Sequence, residues 1–155
     1  MAHRPTILED PQVGKDRYQL YKASIDQYQK ALKDGYFLEC ITLMESLIKD
    51  RLESIHNEIY NKDKGSNLTL SAISDILVTL NEVELKKELD IWRKDRNGAL
   101  HAMAKLQECS GVTFEERYKS LHDIAEKGYE LFKAIDSVIR KYRKGQIKNN
   151  RNYLF

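Results

Sequence analysis

Leu121, Ile124, Leu131, Ile135, Val138 and Tyr142 recur at steps of three, four and seven residues, and this stripe constrains the fold more than any other feature. An α-helix brings such positions to one face, whereas a strand would send several of them to opposite faces. A single apolar stripe flanked by charged residues must then bury itself against other helices. Two earlier stretches repeat the pattern, with Tyr18, Tyr21, Ile25, Tyr28 and Leu32 in one and Phe37, Ile41, Met44, Ile48, Leu52, Ile55 and Ile59 in the other. Only Asp34-Gly35 separates them, and so short a connection predicts an antiparallel hairpin of helices over 15–33 and 36–61.

The polar run 62–67 reads as a loop. Thr69 or Ser71 can cap a shorter third helix that turns Ile73, Ile76, Leu77 and Leu80 inward. Asn81 ends that helix and caps the next, because Glu82 and Glu84 suit a helix N-terminus. The fourth helix spans 82–105 and buries Leu85, Leu89 and Trp92. After a second loop over 108–112, Thr113 and Glu116 form a capping box for the last helix, which Gly128 interrupts and which runs to Gly145. The expected fold is all-α, an antiparallel bundle of four to five helices with no internal repeat.

At 155 residues the chain suits one domain with a core that needs neither metal nor disulfide. Residues 1–14 hold both prolines, Pro5 and Pro11, and read as an extended arm before a helical domain over 15–145. Residues 146–155 read as a basic tail. A net charge of +2 is too small to imply a nucleic-acid partner, but its distribution is uneven. Arg140, Lys141, Arg143, Lys144, Lys148 and Arg151 follow one another with no acidic side chain among them. Of these, Lys141, Arg143, Lys144 and Lys148 are candidate RNA-phosphate contacts, and a solvated helix end is the plain alternative. No window is apolar enough for a membrane span and the start lacks a signal-peptide core, so no membrane partner is expected. Cys40 and Cys109 show no metal or redox spacing, which fits a reducing cytoplasm. No Gly-rich phosphate loop follows a strand, and no metal or other cofactor is expected.

One stretch does not serve stability. Trp92-Arg93-Lys94-Asp95-Arg96-Asn97-Gly98-Ala99-Leu100-His101-Ala102-Met103 places Arg, Asn and Gly in succession, with His101 five residues after Arg96. Gly inside a helix costs about 1 kcal/mol against Ala, so Gly98 weakens the helix where polar groups gather. Arg51 to His56 and Arg117 to His122 share the spacing, but Leu52 and Tyr118 follow those arginines and read as packing residues. Asn97 is polar and stands four residues before His101, on the same face.

Arg96-Asn97-x-x-x-His101 resembles the Arg-x(4–6)-His signature of HEPN-domain ribonucleases, in which a polar residue usually follows the Arg. In that family the motif lies on a late helix followed by one final long helix, the position of Arg96 to His101 here. The resemblance implies a metal-independent endoribonuclease in which the substrate 2′-hydroxyl attacks phosphorus and leaves a 2′,3′-cyclic phosphate. His101 would move a proton near neutral pH, Arg96 would stabilise charge on the phosphoryl oxygens, and Asn97 would hold phosphate or orient the imidazole. Arg96 and His101 lie about 140° apart on an ideal helix, so they converge only through long side chains or a distortion that Gly98 would ease. HEPN proteins dimerise so that two motifs face one cleft, and the resemblance implies a homodimer. Glu45 resembles a polar position many HEPN domains carry near the motif; a salt bridge or cap to a neighbouring helix is its plain alternative. A toxin subgroup carries Tyr two residues after the His as a site of AMP attachment, and Met103 departs from it.

The leading expectation is therefore an RNA-cleaving toxin or phage-defence effector, with an antitoxin or defence-system protein as partner. The alternative is a non-catalytic dimeric helical module that uses Arg96 and His101 to bind a nucleotide or a partner protein.

Overall fold

The computed structural model describes the backbone of residues 11–60, 68–104 and 114–152, and the side chains of residues 15–60, 68–101 and 115–146. The described residues are helical throughout apart from short turns: α1 (Pro11–Asp34), α2 (Phe37–Tyr60), α3 (Leu70–Ile73), α4 (Ile76–Thr79), α5 (Val83–Ala104) and α6 (Phe114–Asn152). Four long helices form the bundle, and α3 and α4 are single turns that cover one end of its core.

Side-chain contacts fix the directions. Phe37 meets Tyr118, Arg51 meets Asp136 and Arg143 meets Glu58, so α2 and α6 run parallel. Tyr21 lies on Phe132 and Tyr28 on Tyr129, which makes α1 antiparallel to α6. Lys127 pairs with Glu88 and the Trp92 indole reaches Ile124, which makes α5 antiparallel to α6 as well. The result is an up-down-up-down bundle with α2 and α6 as its parallel, closely packed pair.

The tight ends are built alike. Gly35 has φ 83°; its N–H donates to the Leu32 carbonyl, and the Tyr36 N–H donates to Ala31. Asn81 repeats the arrangement at φ 62°, with its N–H on Val78 and the Glu82 N–H on Leu77. Both are left-handed Schellman closures, for which Gly and Asn are the least strained residues. Asn81 therefore closes α4 and does not cap α5, which begins after Glu82 at Val83. Thr69 does cap α3, its hydroxyl accepting from the Ala72 N–H at 3.2 Å. The single third helix expected from sequence is split at Ser74 and Asp75, and the buried Ser74 hydroxyl bonds back to Ser71.

Other boundaries shift outward. Helix α1 begins at Pro11, ahead of residue 15, and Pro suits a first helical turn because its missing N–H would be unbonded there anyway. Helix α6 continues through Gly145 to Asn152, since the cost of one Gly does not outweigh neighbours with good helix propensity. The expected Thr113 cap lies outside the described residues, as do Cys109 and Gly111.

The core contains the apolar positions expected on α2, from Phe37 to Ile55, together with Leu85, Leu89 and Trp92 on α5. On α6 the expected Leu121, Leu131 and Ile135 are buried, Ile124, Val138 and Tyr142 pack at the edge of the core, and Ala125, Gly128, Phe132 and Ile139 widen the buried face beyond the expected stripe. Gly128 does not interrupt this face; it is the point of closest approach. A Cβ there would stand 2.9 Å from Cζ2 of Trp92 and 3.2 Å from Cβ of Met44. Tyr18, also on the expected α1 stripe, is left 69% exposed.

Candidate functional site

Arg96 occupies the next turn of the buried α5 stripe that begins Leu85, Leu89, Trp92, so a cation stands where the core line would continue. Its side chain is only 13% exposed and forms an ion pair with Glu45 of α2. Its Nε and a terminal nitrogen both donate to Oδ1 of Asn97, at 3.2 and 2.9 Å. The guanidinium also lies 5.9 Å from the Trp92 ring centroid. Three of the four candidate site residues thus form one cluster between α5 and α2. Glu45 joins it because α2 and α5 both pack against α6, which brings these two long side chains within reach of each other, a relation that sequence spacing cannot express.

His101 is exposed and stands on another face of the same helix. Helix α5 passes through Gly98 as regular α-helix, so the distortion that would draw Arg96 and His101 together is not present. The ideal separation of about 140° and an axial offset of about 7.5 Å therefore hold. Met103 lies among residues whose side chains are not described.

In the competing pairs, Arg51, His56 and His122 are engaged elsewhere. Arg51 pairs with Asp136 at 2.7 Å, and Asp136 also takes Arg140 at 2.9 Å. His56 lies against Tyr60 with ring centroids 4.7 Å apart. The His122 ring stands 3.2 Å from Asp123 and 3.3 Å from Glu126, and its edge meets Phe37. His122, Asp123 and Glu126 can bring ligand atoms within 4.8 Å of one another, but on an exposed helix such a trio is ordinary ion pairing. Cys40 is fully buried, its thiol directed at the Tyr28 carbonyl at 3.6 Å, and burial pushes its pKa up to about 11. A thiol so placed is no nucleophile at neutral pH.

The basic candidates divide. Lys141 and Lys144 are exposed. Arg143 is tied back to α2, donating to Glu58 and to the Ser54 hydroxyl, both at 2.9 Å. Its guanidinium therefore joins helices and is not part of the open basic surface. The Lys148 side chain lies outside the described ones. Gly98 lies opposite the 117–120 stretch of α6, so Lys141 and Lys144 are roughly 35 Å from that level along the helix axis. Within one copy, the basic run and His101 sit toward opposite ends of α6.

A cleft that sequence reading missed lies between α5 and α6. It measures about 490 Å³, and Lys94, Gly98, Arg117, Ser120 and Asp123 contribute to its walls. It brings together two helices whose lining residues are 18 or more positions apart, and nothing in the sequence had marked them as one site. Among the described residues no helix is long and apolar enough to cross a membrane.

No protein-family model matches the chain, and no curated protein or solved structure matches it. Function must therefore be argued from the residues themselves.

Proposed function

We propose that this protein is a metal-independent endoribonuclease of HEPN type that acts as a homodimer, with a toxin or defence effector as its biological role. The observation that carries this reading is the Arg96 cluster: a largely buried guanidinium fixed by Glu45 and Asn97, about one and a half helical turns from an exposed histidine. A pre-oriented Arg suits the charge that develops on phosphoryl oxygens, and an accessible imidazole suits proton transfer at neutral pH. In the reaction, the O2′–P bond forms as one imidazole takes the 2′-hydroxyl proton. The P–O5′ bond breaks as a second imidazole protonates the leaving oxygen, giving a 2′,3′-cyclic phosphate and a 5′-hydroxyl.

One copy offers one His101, and its Arg96 points to another side of the helix. Two copies related by a twofold axis along α5 would supply both imidazoles and both guanidiniums. Leu100 is 42% exposed one turn beyond Arg96 and supplies apolar surface for such a contact. Light scattering at micromolar concentration is expected to give twice the 18.1 kDa chain mass, and a fully active monomer would rule the arrangement out. Incubating the purified protein with tRNA and total RNA in EDTA tests the activity itself, and intact RNA at stoichiometric enzyme would end the nuclease reading.

The bonding of Arg96 favours a second reading. A guanidinium already engaged by Glu45 and Asn97 also serves as a structural link between helices, as a non-catalytic dimeric module would need. RNA binding without cleavage distinguishes the two.

The exposed lysines of α6 are expected to contribute to RNA binding but not to the chemical step. Replacing Lys141, Lys144 and Lys148 with Gln should flatten the salt dependence of binding by about 0.7 per lost phosphate contact. Arg143 is left in place, because its bonds to Glu58 and Ser54 hold α6 on α2. A salt slope identical to that of the wild type would return these lysines to a solvated helix surface.

A further inference from the structure

A helical glycine usually answers to backbone conformation or to close packing, as Gly35 and Gly128 do. Gly98 answers to neither. Its helix is regular, its φ is not left-handed, and a Cβ there would meet nothing within 4 Å. The residue costs the helix about 1 kcal/mol and leaves bare backbone on the wall of the α5–α6 cleft. The charges around that opening are arranged across two helices. Lys94 and Asp95 stand on α5, and Arg117, Ser120 and Asp123 stand on α6. Lys94 precedes His101 by seven residues, which on an ideal helix places the two within about 20° of one face. Arg96 is turned instead toward Glu45 and α2. The cations that line the cleft are Lys94 and Arg117.

We infer that this cleft binds one ribonucleoside monophosphate unit, with Lys94 and Arg117 holding its phosphate and the bare backbone at Gly98 admitting its sugar or base. The inference deepens the ribonuclease reading and rests on it only for which phosphate is bound. The volume lies within the roughly 300–1,000 Å³ of small-ligand pockets and far exceeds what a phosphate ion needs. Arg supplies a planar fork for phosphate oxygens and Lys a point charge. Carboxylates accept hydrogen bonds only, so Asp95 and Asp123 suit ribose hydroxyls or the amino groups of a base. Ala99 and Ile124 give the cleft an apolar patch against which a base can lie.

The test titrates the full chain with each of the four ribonucleoside 3′-monophosphates, using the nucleosides and inorganic phosphate as comparators. Calorimetry reads affinity. The single tryptophan reports the place, because the Trp92 indole N–H donates to the carbonyl of cleft-lining Ile124 at 2.8 Å. The expected result is saturable binding of at least one monophosphate, roughly tenfold or more tighter than its nucleoside or phosphate alone. Gly98→Leu fills the opening, its Cβ meeting nothing within 4 Å and its helix propensity exceeding that of Gly, and should weaken that binding by about tenfold or more with no loss of melting temperature. Lys94→Gln and Arg117→Gln should each weaken it several-fold. No binding by the wild type at millimolar ligand, or equal binding by a folded Gly98→Leu variant, overturns the proposal. A 2′-O-methyl oligoribonucleotide that competes identifies the unit as part of an RNA chain; one that does not compete identifies a free nucleotide. RNA cleavage without mononucleotide binding retires the cleft and leaves the nuclease, and binding without cleavage does the reverse.

Discussion

RNA cleavage in EDTA is expected to disappear when His101 is replaced by Ala, a loss on the order of 10²–10⁴-fold for one general acid or base. His101 is exposed, so the substitution removes an imidazole without opening a cavity and should leave the melting temperature nearly unchanged. Arg96→Ala should abolish cleavage as well, but with a structural cost. It strips the ion pair from Glu45 and the cation from above Trp92, and so destabilises by about 1–3 kcal/mol. Loss of activity in that variant therefore counts only where circular dichroism shows a folded chain. Asn97→Ala should be milder, because Glu45 still holds the guanidinium when the Asn97 amide is gone. His56→Ala and His122→Ala are the controls. The first ring stacks on Tyr60 and the second sits between Asp123 and Glu126, and neither loss should alter cleavage. Undiminished cleavage by folded His101→Ala, or a collapse of activity in His122→Ala, would mean that the reacting pair lies elsewhere.

Much of the bundle was legible because the stripes on α2 and α5 consist of large aliphatic and aromatic residues, which announce a buried face. On α6 the expected stripe contains the buried Leu121, Leu131 and Ile135 but leaves out part of the buried face, for the complementary reason. That face also includes Ala125 and Gly128, whose small side chains carry little hydropathy signal although Gly128 marks where helices approach most closely. The turns at Gly35 and Asn81 were visible as residue types, but only the backbone shows that both are left-handed closures and that Asn81 belongs to α4. At the site, the residues of the motif were legible and their directions were not. Glu45 lies 51 positions before Arg96, and only the packing of α2 and α5 against the common helix α6 makes them a pair. Arg143 failed as a surface cation for the same reason, since composition shows a basic run but not which of its members reaches across to Glu58. The α5–α6 cleft was beyond sequence reading altogether, because it is a property of two helices facing each other.

The largest stability effect is expected at Trp92, the residue on which α5 and α6 close and over whose ring Arg96 is seated. Its side chain is 2% exposed, and its indole N–H donates to the Ile124 carbonyl. Trp92→Ala removes the packing and leaves that carbonyl without its side-chain donor, at a cost of about 3–5 kcal/mol. For a chain of this size the melting temperature should fall by on the order of 10 °C. Gly128 is the other half of the same contact. Gly128→Ala gains about 1 kcal/mol of helix propensity, but its Cβ would stand 2.9 Å from the Trp92 ring. Overpacking of that kind costs about 1–3 kcal/mol, so the substitution should be destabilising in the native background. In a Trp92→Leu background the six-membered ring at 2.9 Å is gone and only the Met44 Cβ at 3.2 Å remains, so the same Gly128→Ala change should be clearly less destabilising. Denaturant unfolding of the four proteins in this cycle should therefore give a coupling of about 0.5–3 kcal/mol. Gly98→Ala supplies the contrast, because its Cβ meets nothing within 4 Å and only the propensity gain should remain. If Gly128→Ala has the same effect with and without the Trp92 ring, the two residues are not in contact and the α5–α6 closure described here is wrong.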